Sequence, residues 1–472
     1  MGSNINTYNP NTGKLSADSH LRFSLRSILY FMAWLCLWQG WLVSGSIFQF
    51  NFLLELTKGT PILIHETIFL LTAIFLIIER YLCDDYELQR SYFSGPMLLM
   101  TFALVLSWTR GMIIRQQFVV IYEAHESLLI PISFFVFVNI FRDPKERKVM
   151  LTMFFLAAIM KAADSTWIKF FSDDVQKSWG TLLFWRDGFI LAIGIAGTLT
   201  LANYRGKVYE KLRTTMYIAL PLMMYGLIVS FRRTFILGLF ASVIAMFFTV
   251  GRGRVKRHAY LFLGFLLVIV ITVLATDPVG MMARLVGALI SPTEEGSSYI
   301  RLMEYPNVLA NIYHNPIFGV ALGTQWFQYY KMPMFANYTT LGCHNSYLYW
   351  PLRTGIIGSV AFLWFLCRIW KSILINWRTQ KSEEDFLMNQ ILIHSMVIYN
   401  FGCFFGLMYA DAMNIMTGFI MVMVQLQMKH QTGLTTYRRV KFLQTLITKQ
   451  LVFRAPNQLT KPVERSTALP SV

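Results

Sequence analysis

The sequence predicts an all-α polytopic membrane protein of about twelve transmembrane helices with one long extracytoplasmic loop that contains short helices. Three observations carry that prediction. The chain is 55% hydrophobic and only 14% charged, too apolar for a soluble globular protein of 472 residues. Its apolar runs have bilayer length, which for a helix means about 20 residues. Lysine and arginine recur in alternate connections between those runs, the pattern of segments retained on the cytoplasmic side. The net charge of +17 therefore belongs to membrane topology, and no nucleic-acid partner is expected.

Residues 1–20 are polar and expected to be a disordered cytoplasmic N-terminus. Arg22 and Arg26 precede the first apolar run, 28–47, whose Trp-rich start argues for a retained helix rather than a cleaved signal. Further spans are predicted over 61–79, 95–109, 118–141, 148–168, 181–203, 213–230, 234–250, 259–276, 345–367, 388–408 and 411–428. With the N-terminus inside, every inner connection is basic, the sparsest carrying Arg80 and Arg90. Both termini are then cytoplasmic and residues 277–343 form the long outer loop of a membrane domain spanning 21–430. In the tail, 431–472, Tyr437, Val440, Leu443, Ile447 and Leu451 alternate with basic residues, which predicts an amphipathic helix on an anionic leaflet.

Charge within a span costs about 2.5–3.5 kcal/mol on insertion scales, so each instance needs a reason. Here the unusual charges gather at predicted outer ends: Arg186 and Asp187, Arg232 and Arg233, Arg301 and Glu304 in the long loop, His344, and Arg353 two turns into the next span. Four segments thus bring arginine to one membrane depth. A diphosphate on a lipid suits that place, because guanidinium binds phosphate oxygens bidentately and keeps its proton. Snorkelling of these arginines to lipid headgroups, or their pairing with Asp187, Glu294, Glu295 and Glu304, is the competing account. His344 is the candidate for proton handling, since imidazole titrates near neutral pH; capping the helix that follows is its structural alternative. Glu66, Glu123 and Glu126 suggest either ion pairs with Arg110 and Arg115 or a proton path. Cys343 lies beside His344, but adjacent side chains rarely point the same way. The five cysteines show no metal spacing. No P-loop, dinucleotide fingerprint, HExxH, GxSxG or paired Asp-x-Asp occurs, so no metal and no cofactor is expected. A secondary transporter is the main rival class, but the repeated halves such a protein would show are missing.

At these residues the chain resembles the bacterial O-antigen ligases and O-antigen polymerases. The likeness is clearest from Ser298 to Gly358, through Tyr299-Ile300-Arg301 and Asn315-Pro316-Ile317-Phe318-Gly319-Val320-Ala321-Leu322-Gly323. The ligase motif is His, then Asn, Ser or Gln, nine residues, Gly, two residues, then Gly, Thr or Tyr, and His344, Asn345, Gly355 and Gly358 fill those places. Arg233 to Leu237 fits an Arg-x-x-x-Leu element, and Arg186 with Gly188 a third. One departure is Ala321, which stands at the middle position of a Gly-x-Gly-x-Gly run. The resemblance implies a metal-independent, inverting glycosyl transfer at the outer face of the bacterial inner membrane. The donor is a glycan on undecaprenyl diphosphate, and the acceptor is a lipid A core sugar for a ligase or another lipid-linked glycan for a polymerase. Carried over residue by residue, Arg233, Arg301 and Arg186 hold the diphosphate and His344 activates or orients the acceptor hydroxyl. Arg232, Asn345 and Arg353 complete the substrate-binding set.

Overall fold

A computed structural model describes residues 19–38, 64–83, 87–89, 91–114, 117–171, 185–204, 206–230, 233–250, scattered residues of 260–271, 296–332, 342–406, 413–432 and 437–439. In chain order the α-helices are α1 Ser19–Trp38, α2 Ile64–Leu82, α3 Ser94–Ile114, α4 Gln117–Ile140, α5 Arg147–Phe171 and α6 Trp185–Leu201. They continue as α7 Glu210–Val229, α8 Arg233–Thr249, α9 Gly296–His314, α10 Ser346–Arg378, α11 Glu383–Phe405 and α12 Met413–Thr432. All but α9 overlap a predicted span; the span predicted over 259–276 falls largely outside the described residues. By length and composition, Ser94–Ile114, Pro144–Ile168 and Ser346–Arg378 are long and apolar enough to cross a membrane, and four shorter apolar helices accompany them. At 1.5 Å per residue, the 21-residue α3 is about 31 Å long, the thickness of a bilayer's hydrocarbon core.

Local chemistry sets the helix starts. Ser382 caps α11 by accepting from the Asp385 backbone N–H, and Glu383, Glu384 and Asp385 place negative charge in the first turn. Asp143 and Glu146 form a reciprocal capping box ahead of α5. α12 is buried almost all round, which makes it the centre of the bundle. Phe419 on it meets the edges of Phe137 and Phe141 at ring distances of 5.5 and 5.7 Å.

The two ends of the bundle differ in charge. At one end Arg26 pairs with Glu146 at 2.8 Å, Arg147 with Glu384 at 2.9 Å and Lys148 with Glu384 at 3.2 Å. Arg80 donates to the Asn139 carbonyl there, and Lys429 to Gln89. The short strand β1 Glu87–Gln89 lies at this end and pairs antiparallel with β2 Tyr437–Arg439 in the register Glu87↔Arg439. Residues 437–439 are therefore strand where the sequence predicts the start of an amphipathic helix: an open backbone edge next to them offers pairing that periodicity cannot register. The rest of that predicted helix lies outside the described residues. The opposite end gathers the C-termini of α3 and α11, the N-termini of α4 and α10, and α9.

Candidate functional site

His344 owes its place to the helix that follows it. Asn345, with extended backbone (φ −130°, ψ 112°), caps α10 by accepting from the N–H groups of Tyr347 at 2.9 Å and Leu348 at 3.2 Å. Ser346 Oγ donates to the Gly406 carbonyl at 2.9 Å, fixing the helix start against the end of α11. His344 thus stands just outside the first turn. Glu304 of α9 holds it with both oxygens: Oε1 accepts from the His344 backbone N–H at 2.8 Å, and Oε2 lies 2.8 Å from Nδ1. The Glu304 side chain is fully buried, and the His344 ring is 30% exposed. An acceptor-only carboxylate at Nδ1 places the ring proton there and the basic lone pair on Nε2.

Arg301 and Tyr305 flank Glu304 on the same face of α9, at the i, i+3 and i, i+4 spacings. Burial raises the Tyr305 hydroxyl above its usual range, against the lowering influence of the Asn345 side chain and Arg301. Cys343 is fully buried with its Sγ 3.5 Å from the Asn345 carbonyl. Burial, with Glu304 close by, pushes its thiol up, so it is no thiolate nucleophile.

The segment after α9 is held backbone group by backbone group. Asn311 exchanges two hydrogen bonds with the backbone of Phe327, at 2.7 and 2.9 Å. Asn307 does the same with Tyr330 at 3.0 and 2.8 Å. These amides act as a strand edge, laying 327–330 along the helix. Between them, Val320 N–H donates to the Leu352 carbonyl at 2.7 Å, Ile356 N–H to the Pro316 carbonyl at 2.9 Å, and Leu322 N–H to Ser107 Oγ at 3.0 Å. Gly323 N–H donates to Glu123.

Four positions with positive φ make this docking possible. Gly355 interrupts α10 at φ 63°, ψ −155°, and a Cβ there would overlap the Ile317 carbonyl oxygen. Gly319, Ala321 and Gly323 all have positive φ, Ala321 at 76°. The alanine therefore adopts the left-handed backbone of the glycine it replaces in the run, at a cost of about 1–2 kcal/mol.

Two expected substrate-binding residues are engaged within the protein. Arg353 is fully buried. Its Nε lies 2.7 Å from Glu123 Oε1, and its Nη1 donates to the carbonyls of Ala321 at 3.1 Å and Thr324 at 2.5 Å. It is a positioning residue for the 319–324 segment. Asn345 is likewise the helix cap. Glu123 accepts from Tyr349 Oη at 3.0 Å as well, and its cation is Arg353; Arg110, expected there from the sequence, donates to the carbonyls of Phe318 and Gly319, and Arg115 lies outside the described residues. Asp187 pairs with Lys161 at 2.6 Å, both fully buried, and Glu304 with His344.

Arg186 and Arg233 stand in the first turns of α6 and α8; their side chains and Arg232 lie outside the described residues. Their helices reach the His344 end. Phe189 of α6 packs on Phe235 of α8 and Tyr399 of α11, with rings 5.8 and 6.2 Å apart. The next residue, Asn400, accepts from Tyr347 Oη at 3.0 Å. Residues 218–363 match a family model described as O-Antigen ligase. This match supports the O-antigen ligase/polymerase family. The matched stretch takes in Arg233, Arg301, Glu304, His344, Arg353, Gly355 and Gly358, while Arg186 and Glu123 lie upstream of it. No curated protein matches the chain. The family carries ligase- or polymerase-type glycan transfer in general terms.

Glu304 is the residue that sequence reading missed. It appears there only as a possible mate for an arginine, and its only sequence signal is a carboxylate between apolar neighbours.

Proposed function

We propose that the protein is a membrane glycosyltransferase that moves a glycan from undecaprenyl diphosphate to an acceptor sugar, with the lipid A core as acceptor, in the manner of an O-antigen ligase. The observation that carries the reading is the two-point grip of buried Glu304 on His344. It directs the Nε2 lone pair away from the carboxylate, as a general base requires. The acceptor hydroxyl oxygen attacks the anomeric carbon as the bond from that carbon to the diphosphate oxygen breaks. The hydroxyl proton passes to His344, and the diphosphate leaves with the bonding electrons. A single displacement of this kind inverts the anomeric centre.

Arg301, Arg233 and Arg186, with Arg232, bind the diphosphate and its developing charge, in the role a divalent metal takes in other transferases. Removing one preorganised donor of this kind typically costs roughly 10²–10³ in rate. The site end lies on the periplasmic face of the inner membrane and both termini are cytoplasmic. The concentration of Arg26, Arg80, Arg147, Lys148 and Lys429 at the opposite end favours that orientation.

The test is the surface polysaccharide of cells carrying His344→Ala or Arg233→Ala at normal protein level. Loss of attached glycan with full-length chains left on the lipid carrier is the expected result. Single repeats on an otherwise normal anchor would make the protein the polymerase instead. Unchanged glycan length and attachment in both variants would remove the transferase reading.

A further inference from the structure

Helix α9 is amphipathic the wrong way round for a helix in water. Its buried face carries Glu304, Asn307 and Asn311, each hydrogen-bonded within the protein. Its outward face carries Leu302, Leu309 and Tyr313, which are 46%, 52% and 81% exposed. Ile317 and Phe318 continue the same exposed apolar stripe. We propose that α9 and residues 315–324 behind it lie in the hydrocarbon boundary of the membrane leaflet at the site end, with this stripe facing lipid acyl chains.

Three observations converge on lipid rather than water. First, the stripe runs without a break into the surface of helices long enough to span. Pro316 is hydrogen-bonded to Ile356, the first of the exposed residues Ile356, Val360 and Leu363 along α10. On the other side stands the end of α3, with Ile113 and Ile114 exposed. Second, the segment sits below the helix ends. It is bonded to Ser107 and Arg353, each seven residues inside the termini of α3 and α10, a depth of about 10 Å at 1.5 Å per residue. Third, much of its backbone is bonded within the protein, which irregular chain at membrane depth requires. Besides the bonds already described, Arg110 donates to the carbonyls of Phe318 at 2.8 Å and Gly319 at 3.0 Å. The same guanidinium lies 5.3 Å from the centre of the Phe318 ring, a cation held at the rim of an apolar face. A water-facing glycan platform is the weaker account, because Leu302, Leu309 and Ile317 offer a sugar no polar group. The consequence is that His344 and Glu304 sit directly behind a lipid-facing wall.

The experiment uses the full chain reconstituted in phosphatidylethanolamine–phosphatidylglycerol vesicles. Cys83→Ser and Cys367→Ser remove the two cysteines that are not buried. Single cysteines are introduced as Leu309→Cys and Tyr313→Cys, with Leu363→Cys as a lipid-facing control and Lys331→Cys as an aqueous one. Each carries an environment-sensitive fluorophore. The expected result is quenching at 309 and 313 by lipids with a shallow nitroxide on the acyl chain, and iodide quenching as low as at 363. Iodide quenching equal to that at 331, without a nitroxide effect, would overturn the proposal and leave the stripe to a water-borne glycan or protein. Position 313, the most exposed of the stripe, decides the matter if Leu309→Cys does not fold. The readout needs no transferase activity, so it stands or falls apart from the proposed reaction.

Discussion

Replacing Glu304 by glutamine isolates the carboxylate's effect on His344. The side chain keeps its shape, but one of two acceptor oxygens becomes a donor and the charge is lost. In the proposed step an imidazolium forms beside that carboxylate. A unit charge pair about 4 Å apart interacts by about 4 kcal/mol at an effective dielectric of 20. The His344 ring is 30% exposed, and solvent screening reduces this to about 2–3 kcal/mol. At about 1.4 kcal/mol per tenfold, Glu304→Gln slows transfer by roughly 30- to 150-fold. The assay is transfer from a lipid-linked glycan by reconstituted protein, with thermal stability measured beside it. Because the effect acts through the histidine, Glu304→Gln adds almost nothing in a His344→Ala background. A rate within about twofold of wild type for the single variant, or full additivity in the double, would refute the coupling.

Other consequences follow from the segment that holds the site. Arg353→Ala leaves Glu123, whose side chain is only 13% exposed, without its cation and costs about 3–5 kcal/mol, read as a large fall in Tm in detergent; Arg353→Met with Glu123→Gln loses much less. Ala321→Gly relieves left-handed strain of about 1–2 kcal/mol against an unfolded-state cost of about 0.5–1. The net is a small rise in Tm with transfer unchanged. Because burial raises the Cys343 pKa, its thiol stays protonated through neutral and mildly alkaline pH. Maleimide at pH 8 should therefore spare the buried Cys343 until the protein is denatured.

Hydropathy found most of the described helices: all but α9 overlap a predicted span, because an apolar run of about 20 residues is a local property. The two-ended sorting of charge was legible for the same reason. Pairings were not. Glu304 meets His344 across 40 residues and Tyr349 meets Glu123 across 226, and nothing in their neighbourhoods encodes the meeting. Arg353 lies where an outer-face arginine should, yet it faces inward, because α4 and the 319–324 segment close over it. Periodicity showed that residues 431–472 could form an amphipathic helix but could not see β1, the strand edge beside Tyr437–Arg439. In α9 the period was available too, but which face turns inward depends on the two asparagines that bind the returning backbone. Ala321 shows the reverse case: the sequence departs from a glycine pattern while the backbone keeps it.

The most direct test of the account is a single-turnover assay with purified protein in lipid, a radiolabelled glycan on undecaprenyl diphosphate and a lipid A core acceptor. Wild-type protein should join the glycan to the acceptor and release undecaprenyl diphosphate in equal amount. His344→Ala should still bind donor but transfer it slowly, and Arg301→Ala should bind donor weakly. Transfer at the wild-type rate by both variants would contradict the central claim.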